Sequence, residues 1–275
     1  MTVFALSPDG AITQLTPDGV FLQAHVHPDG DVAACWGAER GEPRVWLAAT
    51  DGSSLDAVGP ERARHPVFDP TGTRLAFVLG DDSDPVEEMG PRGASGIPAH
   101  GSATQIAILD LASGDVTVLT DGPALDQRPC WSPDGSAIVF LRHGRLARVE
   151  VAGGEVVEIQ GPQFAYRPWF SLDGAELFFI GMHEGHRRIH RMASGGGAVT
   201  VMPNDDAGHT HGPFADLGGE HLIVHSTREG AWWLYELPLD GAPARRIEVG
   251  SMASVGHGTR ARNGVITFDG QTMDD

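Results

Sequence analysis

The sequence predicts an all-β fold, a six-bladed β-propeller made of four-stranded blades. Glycine and proline are abundant, with 37 and 19 residues in a chain of 275. Short alternating apolar runs lie between Asp-Gly turns, which is typical of β-strands rather than helices. A unit of about forty residues recurs along the chain, as it does in propeller blades. The two chain ends carry complementary halves of one further unit, so we expect the ring to close.

The recurring unit is clearest at its first hairpin. It reads RHPVFDPTGTRLAFVL from Arg64, QRPCWSPDGSAIVFLR from Gln127, YRPWFSLDGAELFFIG from Tyr166 and HGPFADLGGEHLIVHS from His211, with a weaker copy, LQAHVHPDGDVAACWG, from Leu22. The hairpin turns carry Gly30, Gly72, Gly135, Gly174 and Gly219. Two further strands follow each hairpin, for example QIAILDLASGDVTVL, so each unit supplies four strands, named a to d from the channel outwards.

The chain ends supply the sixth blade. The C-terminal VGHGTRARNGVITFDG contains only strands a and b of a unit. The N-terminal VFALSPDGAITQL has its turn at Gly10, half a repeat before Gly30, which fits a c–d turn. We therefore expect the N-terminal strands to complete the C-terminal blade, which removes the exposed sheet edges. Residues 1–275 then form one domain with an inserted b–c loop at 80–103.

Composition narrows the classes of partner. The chain has 37 acidic and 19 basic residues and a net charge of −18, which argues against binding to nucleic acid or to an anionic membrane. The start, MTVFALSPDG, lacks the features of a secretion signal, and no apolar run is long enough for a membrane helix. We expect a cytoplasmic protein in which Cys35 and Cys130 are core thiols.

Because neighbouring strands in a blade run in opposite directions, the residues with possible chemical roles fall at one end of the ring. The d–a and b–c connections lie at the same end, here called the top, where each strand a begins. The residues at those positions are rich in His, Arg and Tyr: Gln23, His25, Arg64, His65, Gln127, Arg128, Tyr166, Arg167, His209, His211, His257 and Arg260. A cationic mouth on an acidic body suits an anionic ligand. The loop at 80–103 also lies at the top, either as a lid that brings His100 to the mouth or as an acidic surface loop.

His209 and His211 stand two residues apart in an extended segment, so their side chains are expected on one side. Two imidazoles so placed can bind a divalent ion such as Zn or Mn, especially if His65, His25 or His257 converges on them across the channel. The spacing also fits histidines that only hydrogen-bond between blades. Both interpretations remain open at the level of sequence.

The unit P-x-W-S-P-D-G-x-x-I-x-F resembles the TolB-type propeller repeat, and the likeness covers nearly the whole chain. The same repeat occurs in prolyl-oligopeptidase-like peptidases and in oligogalacturonate lyases. No G-x-S-x-G nucleophile motif is present, which argues against the peptidases. The segment GHTHGPF is similar to oligogalacturonate lyases, whose central site holds manganese. That resemblance implies the ligands His65, His209, His211, His257 and Gln127. Six blades and a shorter chain depart from the lyase pattern, so the lyase substrate is not carried over.

Two functions follow. The first is a metal-dependent lyase or hydrolase acting on a small anionic or carbohydrate-like molecule. In it His25 or His65 would take the proton, Arg128 and Arg167 would hold the anion, and further contacts would come from Arg64, Tyr166, Arg260 and His100. The second is a non-catalytic TolB-like propeller that binds a peptide or protein over the same face.

Overall fold

The structure, a computed structural model, describes residues 1–18, 21–38, 42–80, 103–205, 208–214 and 219–272. These residues form 25 β-strands in six antiparallel sheets, and helices are absent from the described ranges. The predicted all-β, six-bladed propeller is therefore confirmed. Nothing in the described chain forms a helix long and apolar enough to cross a membrane. The loop proposed as a lid, with His100, falls almost wholly outside the described residues.

The strands follow the predicted order within each blade. Blade one contains β3 (Phe21–Val26), β4 (Val32–Gly37), β5 (Arg44–Ala49) and β6 (Leu55–Val58). Blade two contains β7 (Ala63–Phe68), β8 (Arg74–Gly80), β9 (Thr104–Asp110) and β10 (Val116–Val118). Blade three contains β11 (Asp126–Trp131), β12 (Ala137–Arg142), β13 (Arg145–Glu150) and β14 (Val157–Glu158). Blade four contains β15 (Tyr166–Phe170), β16 (Glu176–His183), β17 (His186–Ala193) and β18 (Thr200–Val201). Blade five contains β19 (Thr210–Phe214), β20 (His221–Ser226), β21 (Trp233–Pro238) and β22 (Arg245–Arg246).

The sixth blade joins the two ends of the chain, as the sequence predicts. Its innermost strand is broken into β23 (Met252–Val255) and β24 (Thr259–Arg260), and both pair with β25 (Ile266–Thr272). The N-terminal strands β1 (Thr2–Leu6) and β2 (Ile12–Gln14) complete the sheet. Phe4 lies opposite Phe268 across the β1–β25 pair, and their rings stack with centroids 5.7 Å apart.

The core lies between neighbouring blades rather than within one of them. Six clusters of buried apolar side chains fill the six blade interfaces. Between blades two and three, for example, Ile106 packs in one cluster with Phe140, and each of these residues is fully buried. Burying one such side chain contributes about 1.5–3 kcal/mol. The cluster that holds Val3 with Cys35 seals blade six against blade one, so apolar packing also closes the ring.

Turn and thiol predictions are borne out as well. The hairpin glycines of the five complete blades have positive φ; Gly30 is at 84° and Gly72 at 75°, a conformation that glycine adopts without a steric cost. Cys35 and Cys130 are free and buried, and burial raises the pKa of each thiol to about 12. Both are therefore protonated core residues.

Candidate functional site

A β-bulge in each innermost strand positions the site. The register between strands a and b shifts by one residue in blades one to five. At each shift the first bulge residue has positive φ, and these residues are Gln23 at 55°, His65 at 55°, Arg128 at 55°, Arg167 at 53° and Gly212 at 121°. In blade six the corresponding place is His257, in the break between β23 and β24. Non-glycine residues with positive φ are strained, and such strain concentrates at functional sites.

The bulges surround a cavity at the channel mouth. Five of the six bulge positions line it: Gln23, His65, Arg128, Arg167 and His257. Its other walls are mostly apolar and come from the residues that follow each bulge: Ala24, Pro66, Val67, Pro129, Pro168 and Trp169, together with His25 and Thr259. The space open to water-sized groups is about 70 Å³. A compact ligand with both polar and apolar surfaces matches this lining.

One side of the cavity, the arginine half, consists of His65, Arg128 and Arg167. All three are buried, with 5%, 6% and 8% of their surfaces exposed. Arg128 donates from Nη2 to the Tyr166 hydroxyl at 2.7 Å, and its Nη1 lies 3.0 Å from His65 Nδ1. His65 Nδ1 also contacts the Gln23 side-chain oxygen. Because one ring nitrogen cannot donate to Gln23 and accept from Arg128 at once, only one of these contacts is a hydrogen bond at any moment.

A second group, called the dyad half, consists of His257, which lines the cavity, and its neighbours Asp269 and His225. His257 Nδ1 lies 2.8 Å from Oδ1 of the fully buried Asp269. The carboxylate accepts the Nδ1 proton, so the lone pair is on Nε2, which accepts from Arg167 Nη2 at 2.6 Å. The ring of His225 packs against that of His257 in a T-shaped arrangement, with centroids 5.3 Å apart. A carboxylate that orients an imidazole in this way is the arrangement of a general base.

His25 lies on the cavity wall between the two halves and behaves differently. Its Nδ1 accepts a 3.3 Å hydrogen bond from the Phe68 backbone N–H, so its remaining proton is on Nε2. Burial, and to a smaller extent the neighbouring His27, lowers its pKa to about 3. The sequence suggested His25 as a proton acceptor. This tautomer makes His25 an N–H donor, whereas His257 carries its lone pair on Nε2.

The His-x-His pair does not form one binding edge. His211 is buried, with Nε2 against Arg187 Nη1 and its ring stacked 4.9 Å from that of His225. His209 is exposed, and its ring lies 5.1 Å from that of His186. Burial and the charges of His186 and Arg187 lower the pKa of His209. His209 lies just before β19, whereas His211 lies within that strand and is paired with His225 across the hairpin.

The remaining predicted residues occupy positions around the site. Arg64 donates to the Gly80 carbonyl at 3.0 Å and lies over the Trp36 ring. Arg260 pairs with Glu236 on blade five. Gln127 is buried opposite Leu141 in the blade-three hairpin. In the part of the chain that the structure describes, the cavity lining does not include Arg64, Arg260, Gln127 or Tyr166. Tyr166, the residue before the bulge residue Arg167, still accepts the hydrogen bond from Arg128.

The expected divalent-ion site is not assembled by these residues. Within the described part of the chain, no group of three or more His, Cys, Asp or Glu side chains is arranged to hold a metal ion. Both nitrogens of His257 have partners, and guanidinium groups lie against His65 and His211. A divalent cation would have to displace these arginines and add charge to a mouth that is already cationic. The donor set therefore does not fit a metal ion and fits an anion instead.

Sequence reasoning missed Asp269 and Trp169 as site residues. Asp269 lies on strand b of the closing blade, whereas the sequence argument considered only residues at the top of each strand a. Trp169 follows the bulge and its ring lies 5.6 Å from that of His25. A signal for the bulge was present, because His65, Arg128 and Arg167 each precede a proline, which excludes ordinary helical geometry and favours turns.

Comparison with known proteins establishes the fold. No family model matches the sequence. The putative TolB from Agrobacterium tumefaciens superposes with a TM-score of 0.70 over 97% of this chain and 96% of that chain, at 15% identity. The chain shares the TolB propeller fold. An oligogalacturonate lyase in complex with manganese shares the same fold, with a TM-score of 0.61, 14% identity, and coverage of 100% of this chain and 79% of that chain.

Sequence relatives cover only part of the TolB-like propeller. An uncharacterized peptidase, YuxL of Bacillus subtilis (strain 168), is 27% identical over 160 residues, which is 54% of this chain and 20% of the peptidase. The chain spans between 12% and 53% of the length of the curated relatives it matches. These relatives and structures include peptidases, a lyase and TolB proteins, so the fold alone does not select one activity.

Proposed function

We propose that this propeller is an enzyme that binds a small, carbohydrate-like carboxylate at the channel mouth and cleaves it by β-elimination. One observation carries the proposal: two buried guanidinium groups and an Asp-oriented imidazole converge on one cavity of limited size. Guanidinium groups bind a carboxylate with strong, charge-assisted hydrogen bonds. They also draw electron density from the carboxylate, which acidifies the C–H bond next to it.

Arg167 couples binding to catalysis in this proposal. In the free protein its Nη2 donates to His257 Nε2, the atom that must accept the proton. A bound carboxylate competes for the same guanidinium donors and frees the lone pair on Nε2. His257 then removes the proton from the carbon beside the carboxylate, while Asp269 stabilises the imidazolium that forms. The C–H electrons form a carbon–carbon double bond, and the β-substituent leaves with a proton taken from solvent.

The test is an elimination assay on a panel of small hydroxy and uronic carboxylates. The unsaturated product is followed by its ultraviolet absorbance, and a change to a saturated hydrolysis product would identify a hydrolase instead. We expect turnover in the wild type and its loss in His257→Gln. The matched control His186→Gln removes an exposed imidazole at the same end of the ring and should retain activity. Binding of the panel without turnover would contradict the catalytic proposal.

The metal hypothesis is tested in the same preparation. The protein is purified without a histidine tag, analysed for bound transition metals, and assayed with a chelator and with added Mn²⁺. Because arginines lie against the candidate ligands, we expect neither stoichiometric metal nor a dependence on it. A stoichiometric divalent ion that is lost in a His65→Ala or His211→Ala variant would show that these side chains rearrange to bind a metal.

A second candidate function is non-catalytic binding of a peptide or protein, and the likeness to TolB structures favours it. A peptide that ends in a free carboxylate would use the same arginines. Calorimetry with short peptides, free or amidated at the C-terminus, tests this function. Binding of only the free carboxylate form, with no elimination of any small substrate, would support the binding module over the enzyme.

A further inference from the structure

The indole of Trp169 reaches across the channel of the propeller. Trp169 lies on the innermost strand of blade four, and its ring centroid is 5.6 Å from that of His25 on the innermost strand of blade one. Successive blades contact one another around the ring, so two blades separate blade one from blade four on either side. Side chains of opposite blades can meet only by crossing the channel axis. Trp169 and His25 therefore meet within the channel and obstruct it.

This contact lies below the charged groups of the mouth. Strand a begins at the top, and Trp169 and His25 each come two positions after a bulge residue, Arg167 and Gln23 respectively. An extended strand advances about 3.3 Å per residue, so the pair lies a few ångströms deeper in the channel than the arginines. Both residues line the same cavity as Arg167.

The surroundings of the indole hold it in place. Trp169 is half-buried and packs against the apolar clusters on both sides of blade four. At the same position of the repeat, blades two and six have the smaller residues Val67 and Thr259, which also line the cavity. Trp169 thus fills space that a smaller side chain would leave open, and the cavity is left with about 70 Å³.

We propose that Trp169 is the floor of the mouth and limits the length of the ligand that the mouth accepts. This inference rests on the proposed function, because Arg128 and Arg167 must hold the carboxylate. Since the walls next to the indole, such as Val67 and Pro168, are apolar, the carbon skeleton of a bound carboxylate points down onto the floor. A short skeleton fits there, and a larger substituent, including the leaving group of the elimination, projects from the top.

The experiment measures the depth of the cavity with straight-chain carboxylates from acetate to octanoate, which carry no leaving group. In the wild type each buried methylene should raise the affinity about fourfold, until the chain meets the indole and the affinity stops rising. Trp169→Val, which introduces the residue of blade two, should move this limit to longer acids. An acid two carbons beyond the wild-type limit should then bind the variant roughly 10-fold more tightly than the wild type, as measured by calorimetry.

Trp233→Val is the matched control. It removes an indole of the same size from β21, and Trp233 is not among the described residues that line the cavity. This variant should keep the wild-type length limit. A shift of the limit equal to that of Trp169→Val would contradict the assignment of the floor.

The outcomes separate this inference from the proposed function. If none of the acids binds to the wild type, the arginine site is wrong and the inference falls with it. If the acids bind but the wild type shows no length limit, or Trp169→Val keeps that limit, carboxylate binding stands and the role of Trp169 is overturned. If Trp169→Val does not fold, the indole N–H resonance of Trp169, assigned by its loss in Trp169→Phe, is the second readout. It should move on adding the longest acid that binds and not on adding acetate, and a resonance that stays in place would overturn the role.

Discussion

The arginine half and the dyad half of the mouth are positioned by different irregularities of the innermost strand. In the arginine half, Arg128 and Arg167 are themselves the bulge residues and have positive φ. The Arg128 guanidinium is held by a neutral partner, the Tyr166 hydroxyl. In the dyad half His257 sits at the break in strand a and is supported by a buried carboxylate. The proposed function therefore assigns carboxylate binding and proton transfer to different blades of one scaffold.

The largest effect is expected from breaking the dyad half. His257→Gln or Asp269→Asn removes the base or its orienting partner and should lower kcat of the elimination by about 10²- to 10⁴-fold. Affinity for a non-reacting carboxylate should change only a few-fold, because the arginine half remains. Steady-state kinetics and calorimetry check the two parts. A variant that loses binding and retains kcat would show that the roles of the halves are reversed.

A smaller effect should follow from breaking the arginine half. Arg128→Ala removes a charge-assisted hydrogen bond, which we expect to cost about 1.5–3 kcal/mol of carboxylate affinity, or roughly 10- to 100-fold. The affinity of the wild type should also fall with added salt, because the mouth is cationic on a chain of net charge −18. Calorimetry at two salt concentrations measures both effects. Arg167→Ala should in addition impair turnover, since Arg167 belongs to the arginine half and also donates to His257.

The difference between blades is sharpest at Gly212, the one bulge position of blades one to five without a side chain. Its φ of 121° is poorly accessible to other residues, so Gly212→Ala should destabilise the fold by about 1–3 kcal/mol. Chemical denaturation measures the change. Gly195→Ala is the control, because Gly195 lacks a positive φ and a Cβ there would meet nothing within 4 Å. Equal stability of the two variants would contradict the strain argument.

Between the two halves, His25 links stability to pH. Its folded-state pKa of about 3 lies below the ordinary value of 6.5. The unfolded chain therefore binds more protons as pH falls from 6.5 toward 3, and stability is lost over that window. The contribution is at most about 1.4 kcal/mol per pH unit. Urea unfolding of the wild type and His25→Phe should show a flatter pH dependence in the variant, and parallel curves would refute the assignment.

Much of the fold was predictable because the signals for it are local and repeated. The Asp-Gly turns and the alternating strand patterns recur in every unit, and the half-units at the two chain ends complement each other. A wrong strand assignment in one blade is therefore corrected by the pattern of the others. For the site, only its location at one end of the ring could be predicted, and the arrangement of its side chains could not. Strict alternation points His209 and His211 the same way, but His209 precedes β19 and is exposed, whereas His211 lies within that strand and is buried. Asp269 could not be found by this reasoning, since its contact with His257 depends on how the closing blade folds back.

The smallest effect is expected at Arg260, which stands at the same end of the sequence repeat as the arginines of the mouth. Its guanidinium pairs with Glu236, and its charge is largely compensated there. A partly exposed ion pair of this kind contributes about 1 kcal/mol or less, and it does not face the cavity. Arg260→Ala should therefore leave carboxylate affinity within about two-fold of the wild type, a change within the usual scatter of additive distant sites. Comparing it with Arg128→Ala by calorimetry tests whether position in the repeat or projection from the bulge determines function. Equal losses in the two variants would mean that charge at the top matters more than the bulge geometry.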